Sequence, residues 1–290
     1  MSFWIVTDAA CDLEKSYADK IEKFTVMPMV YCMDGVDHPC VLGDTATWHP
    51  FYEALRAGKV ATTSQVSVTE YEKVFTDLVE KGESVLAVVF SSGLSGTCQA
   101  AVLARENVIE KHPNARIQVV DSLCASAGEG LFVYYAIQKR SEGLSLDETA
   151  GWLLENRQRL VHWFTVGTLD TLRRGGRVSA TAAFMGGMLN IKPILHVDGE
   201  GKLIPREKVQ GRKKSLKNLA EKINTLAVPR EGQTLFISHG DCEEDALYVL
   251  NCVKEMGFAP KEVKISPIGA IIGAHSGPGT VAVFFLGEHR

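Results

Sequence analysis

The sequence predicts an α/β protein of two domains, an N-terminal α/β sandwich on a parallel sheet and a C-terminal α/β domain on a mixed sheet. Three observations predict it. Val85 to Phe90 is a continuous apolar run of strand length, rich in β-branched residues, as expected of a strand buried on both faces. Strand-like and helix-like patterns alternate to about residue 158, which is how βαβ units read. Beyond that point, Pro193 to Pro205 reads as a hairpin around Asp198-Gly199, which breaks the alternation and leaves strand direction open.

The bulk numbers agree with a globular protein. The chain has 290 residues, enough for one large or two ordinary domains, and is 46% hydrophobic and 23% charged. A formal net charge of −4 without a long basic block gives a nucleic-acid role no electrostatic support. No apolar run reaches the length of a membrane span. The start, MSFWIVTDAACD, lacks a basic segment and meets an acid at Asp8, so it does not read as a signal peptide. Seven cysteines in an odd set without CxxC spacing argue against a metal cluster or a disulfide framework. Reduced thiols in the cytoplasm are the expectation.

Taken in order, Phe3 to Thr7 is a short strand closed by Thr7-Asp8, a pair that either lines a crevice at the strand end or caps the segment Leu13 to Ile21. Phe24 to Met33 is a second strand-like run, followed by a turn at Asp34-Gly35. Trp48 to Ala57 fits a helix. The hydroxyl-rich stretch Thr63-Ser64-Gln65 leads to an amphipathic helix over Val68 to Lys81, with Thr63 or Ser64 as its cap or as a ligand-facing group. Arg116 to Val120 is a strand, and the small residues Ala125 to Gly130 lead into a helix through Gln138. Val161 to Val166 is a strand. Thr168 to Arg174 is a short helix ending at Gly175-Gly176. Lys213 to Leu226 and Ala246 to Met256 are helices, Leu235 to Ser238 and Val263 to Ile265 strands. A glycine-rich loop, Gly273 to Thr280, precedes the last strand, Val281 to Leu286. The division falls near Arg157 to Arg159, giving domains 1–158 and 159–290.

The chemistry centres on the loop after Val85 to Phe90. Ser91 to Thr97 contains only Ser, Gly, Thr and one Leu, and a helical pattern begins directly after it. A tight hydroxyl-rich loop at a helix start aims N–H groups, the helix dipole and O–H donors at one point, which suits an anion. The plainer alternative is an ordinary capped turn. A Walker loop is excluded by the missing Lys, and a nucleophile elbow by Thr97 where its last Gly belongs.

Six polar punctuations, after an opening Thr7-Asp8, share one order. They are Thr63-Ser64-Gln65, Ser91 to Thr97, Asp121-Ser122, Leu172 to Arg177, Gln210 to Lys214, and His275 to Thr280. In this order they resemble the DegV family over nearly the whole chain. Val66, where Pro is common, and Cys98, where an aromatic is common, depart from the pattern without removing a polar group. The family comprises bacterial fatty-acid-binding proteins, the best understood being lipid-carrying subunits of a two-part fatty acid kinase. The resemblance implies a long-chain fatty acid held between the domains, its carboxylate bound by Thr63 and Ser95 with Ser92, Gly96 and Thr97 nearby. It implies that His275 completes this network through Thr63, that Arg177 faces the carboxyl where phosphate is added, and that Arg212 helps dock the kinase. Phe184, Met185, Met188, Leu189 and Ile191 would line the tail. Neither a catalytic nucleotide site nor a cofactor or metal is expected, and the remaining histidines, His162 included, read as structural or solvated. The competing readings are an acyl hydrolase using Ser95 with His275 as base, and a regulatory protein for an unrelated small anion.

Overall fold

A computed structural model describes residues 3–42, 45–178 and 190–290. The first half runs β1 (Trp4–Asp8), α1 (Lys15–Ala18), β2 (Phe24–Met27), β3 (Met29–Met33), β4 (Val36–Cys40), α2 (Thr45–Arg56), β5 (Ala61–Ser64), α3 (Val68–Glu80), β6 (Val85–Val89), α4 (Thr97–Lys111), β7 (Ile117–Asp121), α5 (Ala127–Ser141) and α6 (Leu146–Asn156). The second runs β8 (Leu160–Thr165), α7 (Asp170–Arg174), β9 (Ile191–Val197), β10 (Leu203–Gln210), α8 (Arg212–Leu226), β11 (Thr234–His239), α9 (Glu243–Glu255), β12 (Glu262–Pro267), α10 (Ala270–Ser276) and β13 (Val281–Leu286).

The first half carries a four-stranded sheet of order β2-β1-β6-β7, parallel throughout. Every residue of β6 is buried, as its unbroken apolar run requires. The run Phe24 to Met33 is two strands rather than one. Pro28 lies between β2 and β3 and has no N–H for a ladder, so the chain leaves the parallel sheet there. β3 joins a three-stranded antiparallel sheet of order β4-β3-β5. Its hairpin turns at Asp34-Gly35, where both residues have positive φ, the geometry of a tight two-residue turn. Thr63, on β5, pairs with Tyr31. Neither Thr63 nor Ser64 caps the following helix. Ser67 does, in a reciprocal capping box with Glu70.

The second half carries a mixed six-stranded sheet of order β10-β9-β8-β13-β11-β12, with β11–β12 its parallel pair. The strands change sheets between β7 and β8, close to residue 158, and hydrophobic packing continues across that point. α5 is apolar nearly all round and lies between the two sheets. One hydrophobic cluster therefore runs from Ile5, Leu86 and Val88 through Leu131 and Phe132 to Phe164, Phe236 and Phe284. α10 returns to the first half and packs on β3, β5 and α2. His275, expected in a glycine-rich loop, sits in the last turn of this helix. The hairpin β9–β10 also reaches back, its Gly201 carbonyl accepting a 2.9 Å bond from Ser91 Oγ. Among the described residues, no helix is long and apolar enough to cross a membrane.

Candidate functional site

Between the two halves lies a cavity of about 420 Å³. Its wall is mainly apolar: Met29, Phe90 and Leu94 from the first half, Phe164, Val197, Leu203, Ala282 and Phe284 from the mixed sheet, and Ile268, Ile271 and Ile272 at α10. At ~30 Å³ per water-sized group it has room for about 14 such groups, the scale of a long acyl chain.

Polar side chains gather at one end. Thr63 Oγ1 and His275 Nε2 are 2.8 Å apart, bringing together residues 212 positions apart in sequence. Ser95 and Gly96 line the same cavity, and Gln65 Oε1 lies against the Gly96 Cα. Ser95 Oγ accepts from Thr97 N at 3.2 Å and shares a 3.0 Å bond with the Thr97 hydroxyl. Arg177 lines this end too. Its Nε donates to the Leu94 carbonyl at 3.3 Å and its Nη1 to the Gly175 carbonyl, so the guanidinium is tied to the loop that carries Ser95. Burial, reinforced by the Arg177 charge, pushes the His275 imidazole down to about 4, so it is neutral near pH 7. A neutral ring has one donor and one acceptor nitrogen, and Nδ1 has no partner among the described residues. Gly175 packs directly on that nitrogen, where a Cβ would collide with it.

The other expected residues are distributed differently. Ser92 is exposed and outside the cavity wall, its N–H bonded to Asp121. Thr97 is fully buried behind Ser95 and does not reach the cavity. Of the loop hydroxyls, Ser95 is therefore the one that lines the cavity, because the turn of α4 buries Thr97 while Ser91 is held by Gly201. Ile191 begins β9 away from the described lining. Phe184, Met185, Met188 and Leu189 lie outside the described residues. Arg212 is away from the cavity and ion-paired to Asp245 at 2.7 Å. Thr7-Asp8 does not reach the cavity either: Asp8 accepts from Ala10 N and Phe90 N, each at 3.0 Å, and so braces the strand ends.

Gln65, Ser126, His162 and Ser276 also line the cavity. Gln65 and Ser276 belong to polar motifs visible in the sequence, whereas His162 sits in an apolar strand with no local sign of its orientation. Among the described residues, His49, Glu53 and Asp241 are close enough to share an ion, but Asp241 already pairs with Arg56 at the surface.

A family model described as an uncharacterised protein family, DegV, matches residues 2–288. The chain belongs to the DegV family. It is 42% identical over 288 residues to a DegV domain-containing protein of Clostridium perfringens, covering 99% of this chain and 98% of that protein. Among solved structures, this DegV chain is similar to a DegV lipid-binding protein of Thermotoga maritima, with a TM-score of 0.85, 31% identity and 100% coverage of both chains. It is likewise similar to a DegV family protein of Thermus thermophilus described by its fatty acid binding, with a TM-score of 0.88, 29% identity, and coverage of 99% of this chain and 100% of that one. The two-domain α/β fold expected from the sequence is thus the DegV fold.

Proposed function

We propose that this protein binds a long-chain fatty acid and presents its carboxylate to a partner kinase, which phosphorylates it to an acyl phosphate. The observation that carries the first part is the cavity itself, apolar over most of its wall with Thr63, His275, Ser95 and Arg177 gathered at one end. A carboxylate there would accept from the Thr63 and Ser95 hydroxyls and the N-terminal N–H groups of α4, a charge-assisted set. In the tautomer that carries its proton on Nε2, the neutral His275 would donate to Thr63 Oγ1 and free the Thr63 hydrogen for the ligand. Burying about 14 methylenes at ~0.8 kcal/mol each is worth roughly 11 kcal/mol at most, from which association entropy subtracts several. The tail dominates affinity and the head group sets orientation. The fatty acid binding described for the Thermus thermophilus relative supports the same reading.

Arg177 supports the second part. A cation beside the carboxyl suits the negative charge that phosphoryl transfer develops, and the chain has no Walker loop with which to bind ATP itself. Arg212, at the start of α8 and held by Asp245 of α9, is the proposed kinase contact. The hydrolase reading lacks its Ser–His pair: the Ser95 hydroxyl is bonded to Thr97 and the His275 ring to Thr63. Location in the cytoplasm accompanies this proposal, since ATP-dependent phosphorylation takes place there.

The test is native mass spectrometry of the purified protein beside a denatured lipid extract, followed by incubation with a fatty acid kinase, ATP and hydroxylamine to trap the acyl phosphate. Co-purified acyl chains and an acyl hydroxamate are expected. A protein with no extractable acyl chain and no uptake of added fatty acid would refute the lipid reading; binding without hydroxamate would refute the kinase step.

A further inference from the structure

One buried side chain in the cavity wall is not explained by a carboxylate. His162 lies on β8 and is only 2% exposed. In the register of β8 against β13, Phe164 pairs with Ala282 and His162 with Phe284. Alternate residues of a strand share a face, and all four of these residues line the cavity. The chain passes from His275 through Thr280 into β13 at Val281, opposite Thr165, so that end of the sheet adjoins the polar end. His162 lies about 7 Å deeper than Phe164, one two-residue step along the strand.

Among the described residues, neither ring nitrogen of His162 has a hydrogen-bond partner. The Phe284 ring stands edge-on to it at 5.4 Å, and Val197 and Leu203 continue the lining as apolar groups. Gly128 opens α5 against it, where a Cβ would come within 2.8 Å of Nε2. Burial, with Arg290 adding to it, holds the ring far below the ordinary histidine value, so it is a neutral group with one donor and one acceptor. Leaving both unpaired in an apolar wall is costly, and a leucine would avoid that cost.

We infer that His162 is a specificity-determining residue that hydrogen-bonds a hydroxyl carried part-way along the acyl chain, so that the preferred ligand is a hydroxylated long-chain acid. A hydroxyl both donates and accepts, so it pairs with either ring nitrogen. A methylene at the same depth does neither. The inference rests on the fatty-acid reading above.

Binding to the delipidated full chain, measured by displacement of a fluorescent fatty acid, tests it. The probes are octadecanoic acid and octadecanoic acids bearing a single hydroxyl at successive mid-chain carbons. One hydroxy acid should bind about tenfold more tightly than octadecanoic acid, equivalent to about 1.4 kcal/mol. His162→Leu should invert that order, while His162→Gln, which keeps a donor and an acceptor, should preserve it. Octadecanoic acid bound with no hydroxy acid preferred overturns this inference and leaves the fatty-acid reading standing. Binding of neither overturns both. A preference that survives His162→Leu also overturns it.

Discussion

Replacing Thr63 by valine separates the head-group network from the rest of the cavity. Valine keeps the volume and the β-branched shape that suit β5, and removes only the hydroxyl. The His275 Nε2 then loses its 2.8 Å partner, and because Nδ1 has none among the described residues, the half-buried ring is left with both nitrogens unpaired. Stranding one such group costs about 1–3 kcal/mol. At 2–4 °C per kcal/mol for a chain of this size, the ligand-free melting temperature should fall by roughly 2–12 °C. The ligand loses a hydrogen bond to a charged group, worth about 1.5–3 kcal/mol, so fatty acid affinity should fall about ten- to hundredfold. Thermal unfolding of the delipidated protein and titration with octadecanoic acid measure the two effects separately. Thr63→Ser, which retains the hydroxyl, should recover most of both. If Thr63→Val melts and binds like the parent, the carboxylate is not held by Thr63 and His275.

Gly175→Ala should displace the His275 ring, because the new Cβ occupies the position against Nδ1; fatty acid binding should weaken with little change in far-UV circular dichroism, and unchanged affinity would contradict the packing. Arg177→Ala should retain a co-purified fatty acid but abolish hydroxamate formation with the kinase, whereas Arg212→Ala, which frees Asp245, should weaken capture of the kinase in a pull-down; normal capture removes the docking role. Burial raises the Asp8 carboxyl to about 6 and the Asp12 carboxyl to about 7, so the folded state holds protons that the unfolded state has released. Stability from these groups is complete below their unfolded value near 4 and is lost as pH rises through about 6 to 7. Asp12→Asn still accepts from Gly269 N and faces Ser126, and its melting temperature should fall less than the parent's between about pH 4 and 7. Parallel curves for the two proteins would refute that linkage.

The sequence by itself determined the elements whose cause is local. Val85 to Val89 is a buried parallel strand because its apolar run leaves no polar face to expose, and Ser91 to Thr97 turns into a helix because hydroxyls and glycines close tight turns. The polar motifs that mark the family carry Thr63, Ser95, Arg177 and His275, and all four line one cavity end. Where a local rule had two solutions, only the tertiary structure chose. Phe24 to Met33 reads as one strand until Pro28 sends its halves to different sheets. The cap of α3 is Ser67 rather than Thr63, because β5 pairs Thr63 with Tyr31 and turns its hydroxyl to a helix from the other end of the chain. Packing around α5 continues across the change of texture near residue 158. β8 and β13 are too continuously apolar for the two-residue period to show which face is inward. Only the pairing of β8 with β13 under α5 turns His162 and Phe284 toward the cavity, since a strand's side chains alternate and its neighbours decide which set is buried.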